Sequence, residues 1–288
     1  MREREPRIYV LPNLMTAGNM LCGFMAILHI VGRFQDGHQR YLWAIGLILV
    51  ACVFDLLDGR LARMSGQSSE FGREFDSLAD IVSFGVAPAL LVHDIVLAEF
   101  EQTVNGGGWL IACVYLVCGA MRLARFNCLA AMKPADEESP TAFRGCPIPA
   151  AAGVIGSLTL TLLWLDGTER EIGRWKYALP GLMVLLSFLM VSNLEYPSFK
   201  SINWRTRRSF HWMLGSIILL ALTIKAWQWM PTVLFVSYLL YGLVRPWISR
   251  KWRHEIEDGA EAASDEIAPD AENDDAATDK RPDPAAQI

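Results

Sequence analysis

The chain has 288 residues, of which 52% are apolar, with a mean hydropathy of +0.25 and a formal charge of −5 at pH 7. Several stretches of about 18 to 22 residues carry no charge, the length a helix needs to cross a hydrocarbon layer ~30 Å thick. A soluble domain folded around one core is excluded. No nucleotide P-loop or dinucleotide-binding fingerprint occurs, and no nucleic-acid partner is expected.

In chain order, Met1-Arg-Glu-Arg-Glu-Pro6 mixes charges and leads to no short apolar region with a small-residue cleavage site, so it does not read as a signal peptide. Apolar runs predict spans at 13–32, 41–59, 77–98, 107–121, 147–165, 177–194, 210–228 and 230–247. The expected fold is an all-α, polytopic transmembrane bundle of about eight spans. His93 and Asp94 fall within the third span, and Arg122 is expected to end the fourth. Loops on one side carry 18 Lys and Arg against 6 on the other. The positive-inside rule therefore places both termini and the 60–76 loop in the cytoplasm. Six Cys sit mostly in apolar segments with no C-x-x-C spacing, and read as small core residues. Trp227, Trp229, Trp247 and Trp252 fit an interfacial belt. Residues 255–288 hold 12 acids against two bases, too polar to bury a core, and are expected to form a disordered acidic tail after a membrane domain spanning 1–254. The body then carries +5, which suits an anionic membrane surface and an anionic substrate.

The second span ends in Asp55-Leu-Leu-Asp58-Gly59-Arg-Leu-Ala62-Arg63, and eight residues later comes Gly72-Arg-Glu-Phe-Asp76-Ser-Leu-Ala-Asp80. A charge inside a bilayer costs at least ~2.5 kcal/mol, so four Asp at the ends of two membrane-length segments need partners. Asp55 and Asp58 are i,i+3, and Asp76 and Asp80 are i,i+4, so each pair projects from one helix face. Two helix ends can close all four around one point. Gly59, Ala62 and Gly72 remove bulk nearby, and Arg63 offers a fork for phosphate oxygens. Carboxylates without nearby His or Cys favour Mg²⁺ or Mn²⁺ over zinc, and the chemistry they point to is phosphoryl transfer.

The pattern D-x2-D-G-x2-A-R-x8-G-x3-D-x3-D has eight fixed residues, with a chance occurrence of about 10⁻⁷ in such a chain. It resembles the signature of the CDP-alcohol phosphatidyltransferases, membrane enzymes that displace CMP from a CDP-linked substrate. Leu11-Pro-Asn13-Leu-Met-Thr16 with Asn19 and Gly23, Asp76 to Pro88, Met121-Arg-Leu-Ala-Arg125-Phe-Asn127, and Val191-Ser-Asn193-Leu-Glu-Tyr-Pro-Ser-Phe-Lys200 look like the bacterial branch whose acceptor is serine. The resemblance runs over roughly residues 8–205; one departure is Cys146, where that branch usually has Leu after Gly145.

The resemblance implies an inner-membrane homodimer that transfers the phosphatidyl group of CDP-diacylglycerol to L-serine, giving phosphatidylserine and CMP. Asp55, Asp58, Asp76 and Asp80 are the implied ligands of two divalent ions, with Asp80, one turn deeper than Asp76, also the candidate general base. Gly59, Ala62, Arg63 and Gly72 are expected at the diphosphate, with Asn13 and Thr16 either on the cytidine side or simply capping the first helix. Arg122, Arg125 and Asn127 are candidates for the serine carboxylate, although the two arginines could equally be positive-inside anchors. Glycerol phosphate, inositol phosphate or choline are alternative acceptors sharing the motif. A cation transporter with an Asp-lined cytoplasmic mouth is the alternative from another class, but it leaves the Gly, Ala and Arg spacing unexplained.

Overall fold

The computed structural model describes residues 10–34, 37–64, 70–99, 107–132, 142–166, 175–197, 222–223 and 225–244. Those residues form seven helices: α1 (Val10–Ile30), α2 (His38–Met64), α3 (Glu70–Leu97), α4 (Gly108–Ala131), α5 (Ile148–Asp166), α6 (Ala178–Val191) and α7 (Met230–Val244). The first five are long and apolar enough to cross a bilayer. The protein is a helical membrane protein, as its composition requires. Most of the expected 210–228 span and all of the acidic tail lie outside the described residues.

Two boundaries differ from expectation. α3 begins at Glu70, so Asp76 and Asp80 sit inside a helix and not at its start. α4 runs to Ala131, past the point where Arg122 was expected to stop it. The reason is that Arg122 turns inward, with its Nε buried, so its charge does not mark the membrane boundary. Composition also gave no sign of a two-stranded antiparallel ribbon, β1 (Ala142–Arg144) with β2 (Glu195–Pro197), which pairs Phe143 with Tyr196.

α1 lies along α2 as a helical hairpin, and α3 packs against both. α2 packs against α5, and small residues are buried on both helices, Ala44 and Ala51 on the one and Ala151 and Ala152 on the other. Such residues let helix backbones approach where lipid provides no hydrophobic drive. Large apolar side chains such as Leu21, Phe24 and Val53 face outward, the arrangement of a helix that is apolar all round.

The winding of α3 changes just beyond Asp80. Residues Ile81–Val86 adopt a π-helical turn in which the Ala87 N–H bonds the Val82 carbonyl. Pro88 follows and has no N–H to give the Phe84 carbonyl. Tyr115 from α4 supplies the missing donor, its hydroxyl 3.0 Å from Phe84 O. An interhelical hydrogen bond in a bilayer averages only about 0.6 kcal/mol, so this one repairs a break more than it holds the bundle together. Such wide turns are frequent at functional sites.

Candidate active site

The site is assembled at one end of the bundle, where the first turns of α1, the last turns of α2 and the early turns of α3 converge. α1 contributes a polar line of Asn13, Thr16 and Asn19 along an otherwise apolar helix. Asn13 and Thr16 are not caps: the described helix already includes Val10. The Thr16 hydroxyl lies 3.1 Å from Asp58 Oδ2 and 3.2 Å from Pro12 O. Asn19 Nδ2 donates to Asp80 Oδ1 at 3.1 Å. The amide of Asn13 is buried with no partner among the described residues.

The depth of Asn19 depends on Gly23. A Cβ there would fall 2.6 Å from Ser83 Cα, so only glycine lets α1 approach α3 this closely. Ser83 then donates to the Asn19 backbone carbonyl at 2.9 Å. Close approach, backbone bond and amide bond act together to hold Asp80 from its α1 side. Although each pair shares a helix face, the i,i+3 and i,i+4 spacings do not give four equivalent carboxylates. Asp55, Asp76 and Asp80 each offer an oxygen within 4.8 Å of the others. Asp58 is buried beside them and turned to Thr16, within electrostatic range of Asp55 and Asp76.

This arrangement fits a divalent cation on chemical grounds. The ligands are hard oxygens. Three like charges gathered in a low-dielectric place repel unless neutralised, and Asp76 Oδ1 is buried with no hydrogen-bond partner among the described residues. A cation supplies both the neutralising charge and the missing partner.

Around the cluster, the structure sorts the remaining sequence candidates. Among the described residues a Cβ at Gly59 would meet nothing within 4 Å, so packing against them does not require glycine there. Gly72 lies on α3 one turn before Asp76. Ala62 and Arg63 are on the last turn of α2, and their side chains lie outside the described residues. Arg122 comes within electrostatic range of Asp55 and Asp80, with its Nε buried and unpartnered among the described residues. Arg125 instead donates to Asn193 Oδ1 at 2.8 Å, and Asn127 bonds Ser77 Oγ at 2.9 Å and Glu74 Oε2 at 3.2 Å. Two stretches distant in sequence thereby tie α4 to α3 and to the end of α6.

Sequence reasoning gave no role to Asn19 or Ser83. For Asn19 a signal existed, since an amide three residues beyond Thr16 in a membrane helix needs a buried partner.

A helical membrane body that gathers carboxylates at one end, with an arginine beside them, suits transfer of a phosphoryl group held at the membrane surface. Residues 9–195 match the CDP-alcohol phosphatidyltransferase family, and the chain belongs to it. Among its relatives, a CDP-diacylglycerol-serine O-phosphatidyltransferase of Helicobacter pylori (strain J99) is 35% identical over 242 residues, 84% of this chain and 92% of that protein. Proteins of the same name from Methanocaldococcus jannaschii and Bacillus subtilis are 30% and 33% identical, over 83% and 66% of this chain and 95% and 91% of their own lengths.

Proposed function

We propose that the protein transfers the phosphatidyl group of CDP-diacylglycerol to L-serine, releasing phosphatidylserine and CMP. The observation that carries the reaction type is the convergence of Asp55, Asp76 and Asp80 beside Asp58 within a family of phosphatidyltransferases. Serine as acceptor rests on similarity to relatives named for that reaction, over most of this chain in the Helicobacter and Methanocaldococcus proteins.

In this reading Asp55, Asp58, Asp76 and Asp80 would hold Mg²⁺ or Mn²⁺, as a pair of ions. Bound there, the ions would neutralise the diphosphate and the charge that gathers on the departing CMP phosphate. Asp80, oriented by Asn19, takes the proton of the serine hydroxyl as that oxygen attacks the phosphorus bearing the diacylglycerol. The new bond joins serine Oγ to this phosphorus, the bond from it to the bridging oxygen breaks, and CMP leaves with the electron pair. Gly59, Ala62, Arg63 and Gly72 line the diphosphate, Asn13 and Thr16 the cytidine side. The unpartnered amide of Asn13 and the open space beside Gly59 support these assignments.

Arg122 takes the serine carboxylate, supported by its unpartnered Nε and its nearness to Asp80. Arg125 and Asn127 stand further along α4, held by Asn193, Ser77 and Glu74. The excess of Lys and Arg on this side supports a site facing the cytoplasm of a bacterial inner membrane, and the resemblance supports a homodimer. The test is conversion of labelled serine to phosphatidylserine by purified protein with CDP-diacylglycerol and Mg²⁺ or Mn²⁺. Absence of product with serine, alongside product with glycerol 3-phosphate, would move the chain to another acceptor.

A further inference from the structure

The wide turn of α3 starts one residue after Asp80 and is clasped from two sides. From α1, the Ser83 hydroxyl donates to the Asn19 carbonyl at 2.9 Å, where Gly23 lets the two backbones meet. From α4, the Tyr115 hydroxyl donates to the Phe84 carbonyl at 3.0 Å, and a Cβ on Gly85 would fall 2.9 Å from Leu116 Cδ1. Tyr115 and Phe84 are both fully buried. Because Pro88 brings no N–H to the Phe84 carbonyl, α3 does not satisfy that oxygen from within. A donor from the next helix does so, and the repair thereby couples α3 to α4 at a single atom.

A second tie joins the same two helices. The Asn127 amide donates to Ser77 Oγ at 2.9 Å and to Glu74 Oε2 at 3.2 Å. The two ties run in opposite order along the two helices: Ser77 and then Phe84 on α3 meet Asn127 and then Tyr115 on α4. Asp80 lies between the tied positions of α3, and Arg122 lies between those of α4. That register brings Asp80 and Arg122 to the same level, in keeping with their electrostatic interaction. Arg122 also follows Tyr115 by seven residues, two turns along one face of α4. Of the two ties, the one at Tyr115 is buried, while the Glu74 end of the other is exposed.

Serine is the reactant that must span this level, with its carboxylate at Arg122 and its hydroxyl at Asp80. A slide or rotation of α4 on α3 spoils that span, and misplacements of about 1 Å can cost two orders of magnitude in rate. CDP-diacylglycerol, held by the carboxylates of α2 and α3, does not need the span. We propose that Tyr115 is a positioning residue, whose bond to the Phe84 carbonyl fixes the level of Arg122 against Asp80. Tyr115 itself touches no reactant. This inference rests on the roles given above to Arg122 and Asp80.

Tyr115→Phe keeps the ring and removes only the hydroxyl. In the purified full-length protein, in detergent with Mg²⁺, kcat/KM for serine should fall roughly 5- to 30-fold while the KM for CDP-diacylglycerol stays within about twofold. The melting midpoint should stay within about 4 °C of wild type, since one interhelical bond adds little stability. An unchanged kcat/KM for serine, an equal loss for both substrates, or a loss that follows the fraction of folded protein would overturn the proposal. Pro88→Ala separates positioning from the mere filling of an acceptor, because it restores an N–H within α3. Relative to Pro88→Ala alone, adding Tyr115→Phe should still lower kcat/KM for serine at least about 5-fold, since the tie to α4 is still lost. A change below about twofold in that background would show that Tyr115 only satisfies an orphan carbonyl, and would overturn the proposal. Wild-type protein that makes no phosphatidylserine defeats the serine reading itself, whereas an active wild type with an unaltered Tyr115→Phe variant defeats only the role of Tyr115.

Discussion

Asn19→Ala separates the chemistry of the site from the packing of the bundle. The substitution deletes the amide that donates to Asp80 Oδ1 at 3.1 Å, but keeps the backbone carbonyl that accepts from Ser83 and the glycine contact one turn on. A hydrogen bond to a charged group is worth about 1.5 to 3 kcal/mol. If the carboxylate is held this way through the transition state, its loss lowers kcat about 10- to 150-fold. The same bond as an interhelical contact contributes about 0.6 kcal/mol in a bilayer, so the thermal midpoint in detergent should move little. The assay is CMP release under saturating CDP-diacylglycerol and serine, with melting followed in parallel. Activity within twofold of wild type would refute Asn19 as the group that orients Asp80. A large fall in melting temperature that tracks the activity loss would show a packing role instead.

Asp80→Asn should lower kcat by roughly 10² to 10⁴-fold while CDP-diacylglycerol still binds in the presence of metal; failure to bind the liponucleotide would make Asp80 chiefly a ligand. Excess chelator should abolish turnover and added Mg²⁺ or Mn²⁺ restore it, with Asp55→Asn, Asp58→Asn or Asp76→Asn each removing most activity from a protein that still folds. Full turnover in chelator would sink the role of the cluster as a cation site. Truncation after His254 removes the acidic tail and none of the motif residues, so activity in detergent should be retained; a folded but inactive truncation would give the tail a role.

The Asp motif was legible because its chemistry is written in local spacing: pairs three and four residues apart, flanked by small residues, at the ends of two apolar runs. That spacing made the carboxylates look equivalent. Which ones converge is decided by the close contact of Gly23 with Ser83 and by the Thr16 hydroxyl that draws Asp58 aside, and both are contacts between helices far apart in sequence. The end of α4 was misplaced because a charged residue was taken to mark a membrane boundary, whereas Arg122 points toward buried carboxylates. The ribbon of β1 and β2 was out of reach for a different reason: three residues of strand, paired across about 50 positions of chain, give no periodic signal.

The central claim, phosphatidyl transfer to serine at a cation-binding carboxylate cluster, is tested most directly by one reconstitution. Purified protein in vesicles or mixed micelles receives CDP-diacylglycerol, a divalent cation and, in separate reactions, labelled serine, glycerol 3-phosphate, inositol phosphate or choline, with CMP and lipid product measured together. The account predicts stoichiometric CMP and phosphatidylserine with serine, little product with the other acceptors, and none after chelation. CMP release independent of metal, or transfer to another acceptor at the serine rate or above it, would contradict it.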